Sequence, residues 1–132
     1  MTFPLIDSDV LIDALRKVPL AVDLVENLLS QGPVAVSVVS RMETIQGCQN
    51  RESQQQAERL LKRLNLVGLD ARIATRADEL VTKYFLSHKL VVADALIAAT
   101  AIEYDLLLLS KNQKDYRFLD KDGLQLLPYP AA

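Results

Sequence analysis

The chain has 132 residues, half of them apolar, with only four glycines and a formal net charge of −2. The length suits one domain with a real core and is too short for two ordinary ones, and the composition excludes a disordered chain. The small negative charge excludes a global basic field, so contact with nucleic acid has to be local or mediated by metal. Cys48 is the only cysteine, which rules out an intrachain disulfide and points to a reducing compartment. No basic-then-apolar leader opens the chain, and no apolar stretch reaches the ~18 residues needed to cross a bilayer. The expectation is a cytoplasmic, soluble domain covering 1–132, with no membrane partner.

Strand and helix patterns alternate. Residues 3–6 (FPLI) read as a short buried strand, and Val10, Leu11, Ala14 and Leu15 switch to helical spacing. Pro19 can start a second helix with Leu20, Leu24, Val25, Leu28 and Leu29 on one face, ended by the QGP at 31–33. The β-branched VAVSVV at 34–39 reads as a buried strand, followed by a helix from about Ser40. Ala57, Leu60, Leu61 and Leu64 mark another helix, LVGL at 66–69 a short strand, and Ile73 to Tyr84 a long helix. The alanine-rich DALIAATAI at 94–102 is a closely packing helix; LLLLS at 106–110 and LQLL at 124–127 are the last strands. Strands separated by helices imply an α/β fold, with a parallel sheet between helices on both faces. In such sheets ligands sit outside the carboxyl ends of the strands.

Acidic residues recur at those ends. Asp7 follows the first strand, Glu43 lies one turn into the helix after the second, and Asp94 opens the alanine-rich helix; Asn112 and Asp115 come just after LLLLS. Oxygen donors gathered on one rim suit Mg²⁺ or Mn²⁺, whereas Zn²⁺ fits poorly because Cys48 and His88 lie far from the pattern. Each acid also has a plainer explanation. Asp7 can N-cap a helix, Ser40 and Glu43 match a capping box, and Asp94 can favour the positive end of a helix dipole. Such caps do not require acids to recur on one rim, and the apolar neighbours Val92, Ala93, Leu96 and Ile97 make Asp94 an odd solvent residue.

Other residues are secondary. Asp9 is a candidate supporting group behind the site or a turn acid, and Ser110 a ligand hydrogen-bonder or a turn cap. Asp13 precedes Arg16 and Lys17 at ion-pair spacing and reads as surface. Arg41, Lys111, Lys114 and Arg117 lie near the rim and are candidate phosphate contacts. His88 and Cys48 read as non-catalytic.

LIDSDVLID, VSVVSRMETIQGC and LVVADALIAATAIEYDLLLLSKNQKDYRFL together resemble the three signature segments of PIN-domain proteins, in the same order and over nearly the whole chain. The last segment is the most specific. In size the chain is similar to the single-domain, VapC-type toxins of bacterial toxin–antitoxin pairs. The resemblance implies a three-layer α/β/α fold around a mostly parallel five-stranded sheet, and a metal-dependent endoribonuclease using Mg²⁺ or Mn²⁺. It implies an RNA substrate, a homodimer, and silencing by a small VapB-like antitoxin. The family's acids carry over to Asp7, Glu43 and Asp94 as metal ligands. Asn112 stands where a fourth acid or an Asn occurs and is expected to organise the site through its amide oxygen, with Asp115, three residues on, the less critical of the two; Asp9 replaces a commoner Asn or Ser.

Two rival readings remain at this level. Asp-x-Asp after a first strand also opens dehalogenase-type phosphatases, and an acidic pair with a later Lys resembles response-regulator receivers, which would need Asp70 as phosphoacceptor. A non-catalytic PIN-like binding module would keep the acids as structural groups.

Overall fold

The computed structural model describes residues 3–130. Strand β1 (Pro4–Ile6) leads through the cap Asp7 into α1 (Ser8–Leu15), and α2 (Pro19–Gln31) begins on Pro19, whose missing N–H is harmless at a first helical position. Between them Lys17 takes the left-handed conformation, φ 64°, and its N–H donates to the Ala14 carbonyl. Then come β2 (Ala35–Ser37), α3 (Val38–Gln46), α4 (Arg51–Leu61) and β3 (Asn65–Val67). Helix α5 (Ala71–His88) and helix α6 (Val92–Glu103) precede β4 (Leu107–Leu109). The short α7 (Gln113–Tyr116), a 3-10 turn (Arg117–Asp122) and β5 (Gln125–Leu126) finish the described chain.

The five strands form one sheet in the order β3-β2-β1-β4-β5, with every pairing parallel. Alternation along the strands divides the core. Leu5 and Leu108 join the cluster formed with Ile73, Leu80 and Ile97 of α5 and α6, while Ile6 and Leu109 join Val10, Leu11, Ala21 and Val25 of α1 and α2. Helices therefore cover both faces, as the strand–helix alternation predicts. No described helix is long and apolar enough to cross a membrane.

Several boundaries differ from the sequence reading: α4 ends at Leu61, so Leu64 lies beyond it, and two strands shift. The strand expected over 34–39 stops at Ser37, because the Ser37 hydroxyl accepts the Val39 N–H and starts α3 at Val38. Ser40 is therefore inside α3, and the Ser40–Glu43 capping box does not form. The strand expected over 66–69 instead spans Asn65–Val67, since the Asn65 N–H donates to the Val34 carbonyl and sets the register one residue earlier.

The order also bears on the receiver reading. Receivers follow the order 2-1-3-4-5, with the third strand in the interior; here β3 is an edge. Asp70, at the N-cap of α5, accepts the Ile73 N–H and the Tyr104 hydroxyl. It is committed to holding helix ends together.

Candidate active site

Asp7 sits where β1 ends. Its backbone N–H donates to the Leu109 carbonyl at 2.9 Å, which fixes it beside the end of β4. The side chain is nearly out of contact with solvent. Oδ1 accepts the Ser8 N–H at 2.8 Å and the Ser40 hydroxyl at 3.5 Å; Oδ2 accepts the Tyr116 hydroxyl at 3.1 Å. The Tyr116 oxygen also stands 3.2 Å from Oδ1 of Asp94, in the first turn of α6. Glu43, on α3, accepts the Ser8 hydroxyl at 3.0 Å. So β1, α3, α6 and α7 converge on one rim of the sheet, as expected for the carboxyl ends of parallel strands.

Asp9 is on the same rim, close enough for its charge to act on both Asp7 and Asp94. Its Oδ2 accepts the Ser110 hydroxyl and the Lys111 N–H, each at 3.1 Å, and its buried Oδ1 has no hydrogen-bond partner. Ser110, fully buried, also accepts the Asn112 N–H at 3.1 Å, so it both holds Asp9 and caps the following turn. Replacing Ser110 with Ala leaves these groups short of partners, and should cost about 1–3 kcal/mol. Urea unfolding checks this; an unchanged midpoint and slope would mean the loop after β4 is held by other contacts.

The electrostatics are those of uncompensated acid. None of the ion pairs among the described residues includes Asp7, Asp9, Glu43 or Asp94. Burial, reinforced by the charge of Asp9, pushes the Asp7 carboxyl up to about 6. Burial raises Asp9. Burial also raises Asp94, the Tyr116 hydrogen bond offsets part of this, and the charges of Asp115, Glu43 and Asp9 add to it.

Do these residues fit a divalent cation? The donors are all oxygen, the charge lacks a basic partner, and one buried carboxylate oxygen is unsatisfied. These features fit Mg²⁺ or Mn²⁺. The cage is not closed, however: among the described residues no three acidic, His or Cys side chains stand close enough to surround one ion. Hydroxyls of Ser8, Ser40 and Tyr116 occupy the space between the acids. The donor chemistry fits such an ion.

The remaining sequence candidates divide. Asn112 is the exposed residue at the start of α7 and its side chain makes no capping bond. Asp115, exposed in the first turn of α7, is the neighbouring charge that acts most strongly on Asp94. Lys111 is not free for phosphate: its Nζ pairs with Asp13 Oδ2 at 2.7 Å, so Asp13 bridges to the loop after β4 and not to Arg16 or Lys17. Arg41, Lys114 and Arg117 belong to none of the described ion pairs. His88 stacks on Phe118 with ring centroids 4.1 Å apart, away from the acids. Cys48 donates to the Thr44 carbonyl.

Sequence reasoning did not single out Tyr116 or Ser8, and read Ser40 as a cap. Tyr116 sits at a core-like apolar position, where periodicity sees only a ring. Ser8 and Ser40 carry one weak signal, small hydroxyls within a few residues of a strand end.

A parallel sheet in this order with acids clustered at its carboxyl rim defines the class. The family model for the PIN domain matches residues 5–123, and the chain belongs to the PIN-domain family. Among its relatives, a Mycobacterium tuberculosis protein named ribonuclease VapC10 is 40% identical over 109 residues, 82% of this chain and 81% of that protein. A toxin–antitoxin complex from Klebsiella pneumoniae contains a chain that superposes with a TM-score of 0.78 at 25% identity, covering 98% of this chain and 99% of that one. VapBC2 from Rickettsia felis, bound to a DNA fragment from its promoter, has the same fold, with a TM-score of 0.80 at 21% identity and coverage of 98% and 100%.

Proposed function

We propose that this chain is a divalent-metal-dependent endoribonuclease and the toxin of a toxin–antitoxin pair, silenced by a small antitoxin and acting as a homodimer in the cytoplasm. The observation that carries the catalytic part is the set of carboxylates without a basic partner, Asp7, Asp9, Glu43 and Asp94, on one rim of the sheet. The likeness to ribonuclease VapC10 supports the RNA substrate, and the likeness to toxin–antitoxin complexes supports the partner.

In this reading Asp7, Glu43 and Asp94 hold Mg²⁺ or Mn²⁺. An ion held there would lower the pKa of water and offset the charge of the phosphate. Ser8 donates its hydroxyl to Glu43 and its backbone N–H to Asp7, so one small residue fixes two acids on different elements. Asp9 holds the loop after β4 from behind, through Ser110 and Lys111. One carboxylate accepts the proton of the attacking water. Arg41, Lys114 and Arg117 meet the flanking phosphates, whose charge the acidic rim would otherwise repel.

Against the expectation from the sequence, we favour Asp115 as the fourth acid, because it lies in the first turn of α7 beside Tyr116, whose hydroxyl contacts Asp94, while the Asn112 side chain makes no capping bond at the start of that helix. Asp115→Ala is therefore expected to lower turnover about 10-fold or more, and Asn112→Ala less. The reverse order in a rate and Mn²⁺ titration would give the role to Asn112.

The direct experiment is cleavage of a structured RNA by purified, partner-free protein. Cutting should require Mg²⁺ or Mn²⁺, stop with EDTA and resume on adding back the metal. Cleavage that survives exhaustive chelation would refute the mechanism; protein that binds RNA but never cuts it, whatever the metal, would favour a binding module.

A further inference from the structure

We propose that Tyr116 is a positioning residue whose hydroxyl holds Asp7 and Asp94 in register for one divalent cation. This rests on the metal-binding reading above. Three observations support it. Tyr116 is fully buried, so its ring cannot swing away from the rim. Its oxygen lies 3.1 Å from Asp7 Oδ2 and 3.2 Å from Asp94 Oδ1, and no other side chain in the described hydrogen bonds touches both carboxylates. The two acids come from separate elements, the end of β1 and the first turn of α6, with nothing in the local chain to set their spacing.

A phenylalanine would fill the same core volume without burying a hydroxyl. Buried tyrosine hydroxyls need partners, and the partners here are two like-charged groups that would otherwise repel. The arrangement need not block a cation. The hydroxyl has a single proton, which it donates to one carboxylate at a time, so the second carboxylate is left for the cation to neutralise; each carboxylate oxygen has two lone pairs, so the one that takes the proton can still face the metal. Carboxylates that bind metals are commonly steadied in this way, and losing such a partner typically weakens metal binding about 10–100-fold.

The test is Tyr116→Phe, which keeps the ring and removes one oxygen. Mn²⁺ affinity is measured by calorimetry in the absence of RNA, beside wild type and Asp94→Asn, and the unfolding of each metal-free protein is followed as well. The expected result is a Kd for Mn²⁺ raised about 10–100-fold in Tyr116→Phe, with cleavage restored at high Mn²⁺. An unchanged or lower Kd, with or without a fall in Tm, would overturn the proposal and leave Tyr116 a packing residue. If Tyr116→Phe does not fold, Mn²⁺ titration of the fluorescence of a variant in which Tyr116 is the sole tyrosine (Tyr84→Phe, Tyr104→Phe, Tyr129→Phe) decides: a change that saturates with the calorimetric Kd is expected, and none overturns the proposal. If wild type binds no Mn²⁺, the metal-binding reading itself fails, which the same titration shows independently of Tyr116.

Discussion

Asp94→Asn is expected to reduce Mg²⁺-dependent RNA cleavage about 100-fold or more while the protein stays folded. Asp94 holds the first turn of α6 over the rim, and its only described side-chain contact there is the Tyr116 hydroxyl. An Asn can satisfy that contact. What it cannot supply is the negative charge, and electrostatic stabilisation of a metal and its phosphate is worth several kcal/mol, at about 1.4 kcal/mol per tenfold in rate. The check is single-turnover cleavage across a Mg²⁺ series, alongside growth of cells expressing either version without a partner. Wild-type turnover at low Mg²⁺ would remove Asp94 from the ligand set. A mutant as toxic as wild type would separate growth arrest from catalysis.

The second large effect is on stability, and its sign is opposite to what loss of an active-site residue suggests. Asp7→Asn should make the metal-free protein more stable at neutral pH. The folded protein holds the Asp7 carboxyl at about 6, against an ordinary 3.8. Its folded state therefore binds a proton more readily than its unfolded state between those values. Stability from this group is greatest at low pH and falls as pH rises from about 4 to about 6; above that the full cost of the buried charge is present. The difference is on the order of 3 kcal/mol. An asparagine in place of Asp7 also suits the surroundings: its oxygen accepts the Ser8 N–H, and its amide donates to the Tyr116 oxygen, whose proton then serves Asp94.

Urea unfolding in EDTA at pH 7 and pH 5 measures this. The gain of Asp7→Asn over wild type should be large at pH 7 and shrink at pH 5. The difference between the two proteins matters more than either curve, because acids held low by partners, such as Glu26 beside Arg63, act in the opposite direction in both. A variant less stable than wild type at pH 7 would show that the Asp7 charge is well accommodated without metal.

Much of the fold was legible because its elements carry strong periodic signals. The LLLLS run, the alanine-rich helix around Asp94 and the Pro19 helix start all lie within a residue or two of their expected places. The rim acids were legible for a related reason, since a parallel sheet converts "just after a strand" into "on one edge". What the sequence hid was side-chain partnership. Ser37 takes over helix initiation from Ser40, a choice set by where β2 must stop to pair with its neighbours. Asp13 reaches Lys111 across the tertiary fold, although Arg16 and Lys17 are nearer in the chain. Tyr116 looks like any apolar ring until the two carboxylates are placed against its oxygen. The choice between Asn112 and Asp115 was not legible, because the short α7 (Gln113–Tyr116) is four residues long and leaves almost no periodicity to read.

The bond between Tyr116 and Asp7 joins residues 109 positions apart, and β1 gains one of its two neighbours only from residues 107–109. A ribosome adds about 5–20 residues each second, so for several seconds the first acid exists without the elements that surround it. On the proposed function, a growing chain would carry its cleaving chemistry in unassembled form. Timing would then be a safeguard written into the topology: an antitoxin made alongside the chain would have until the last third emerges to be in place before the rim can close.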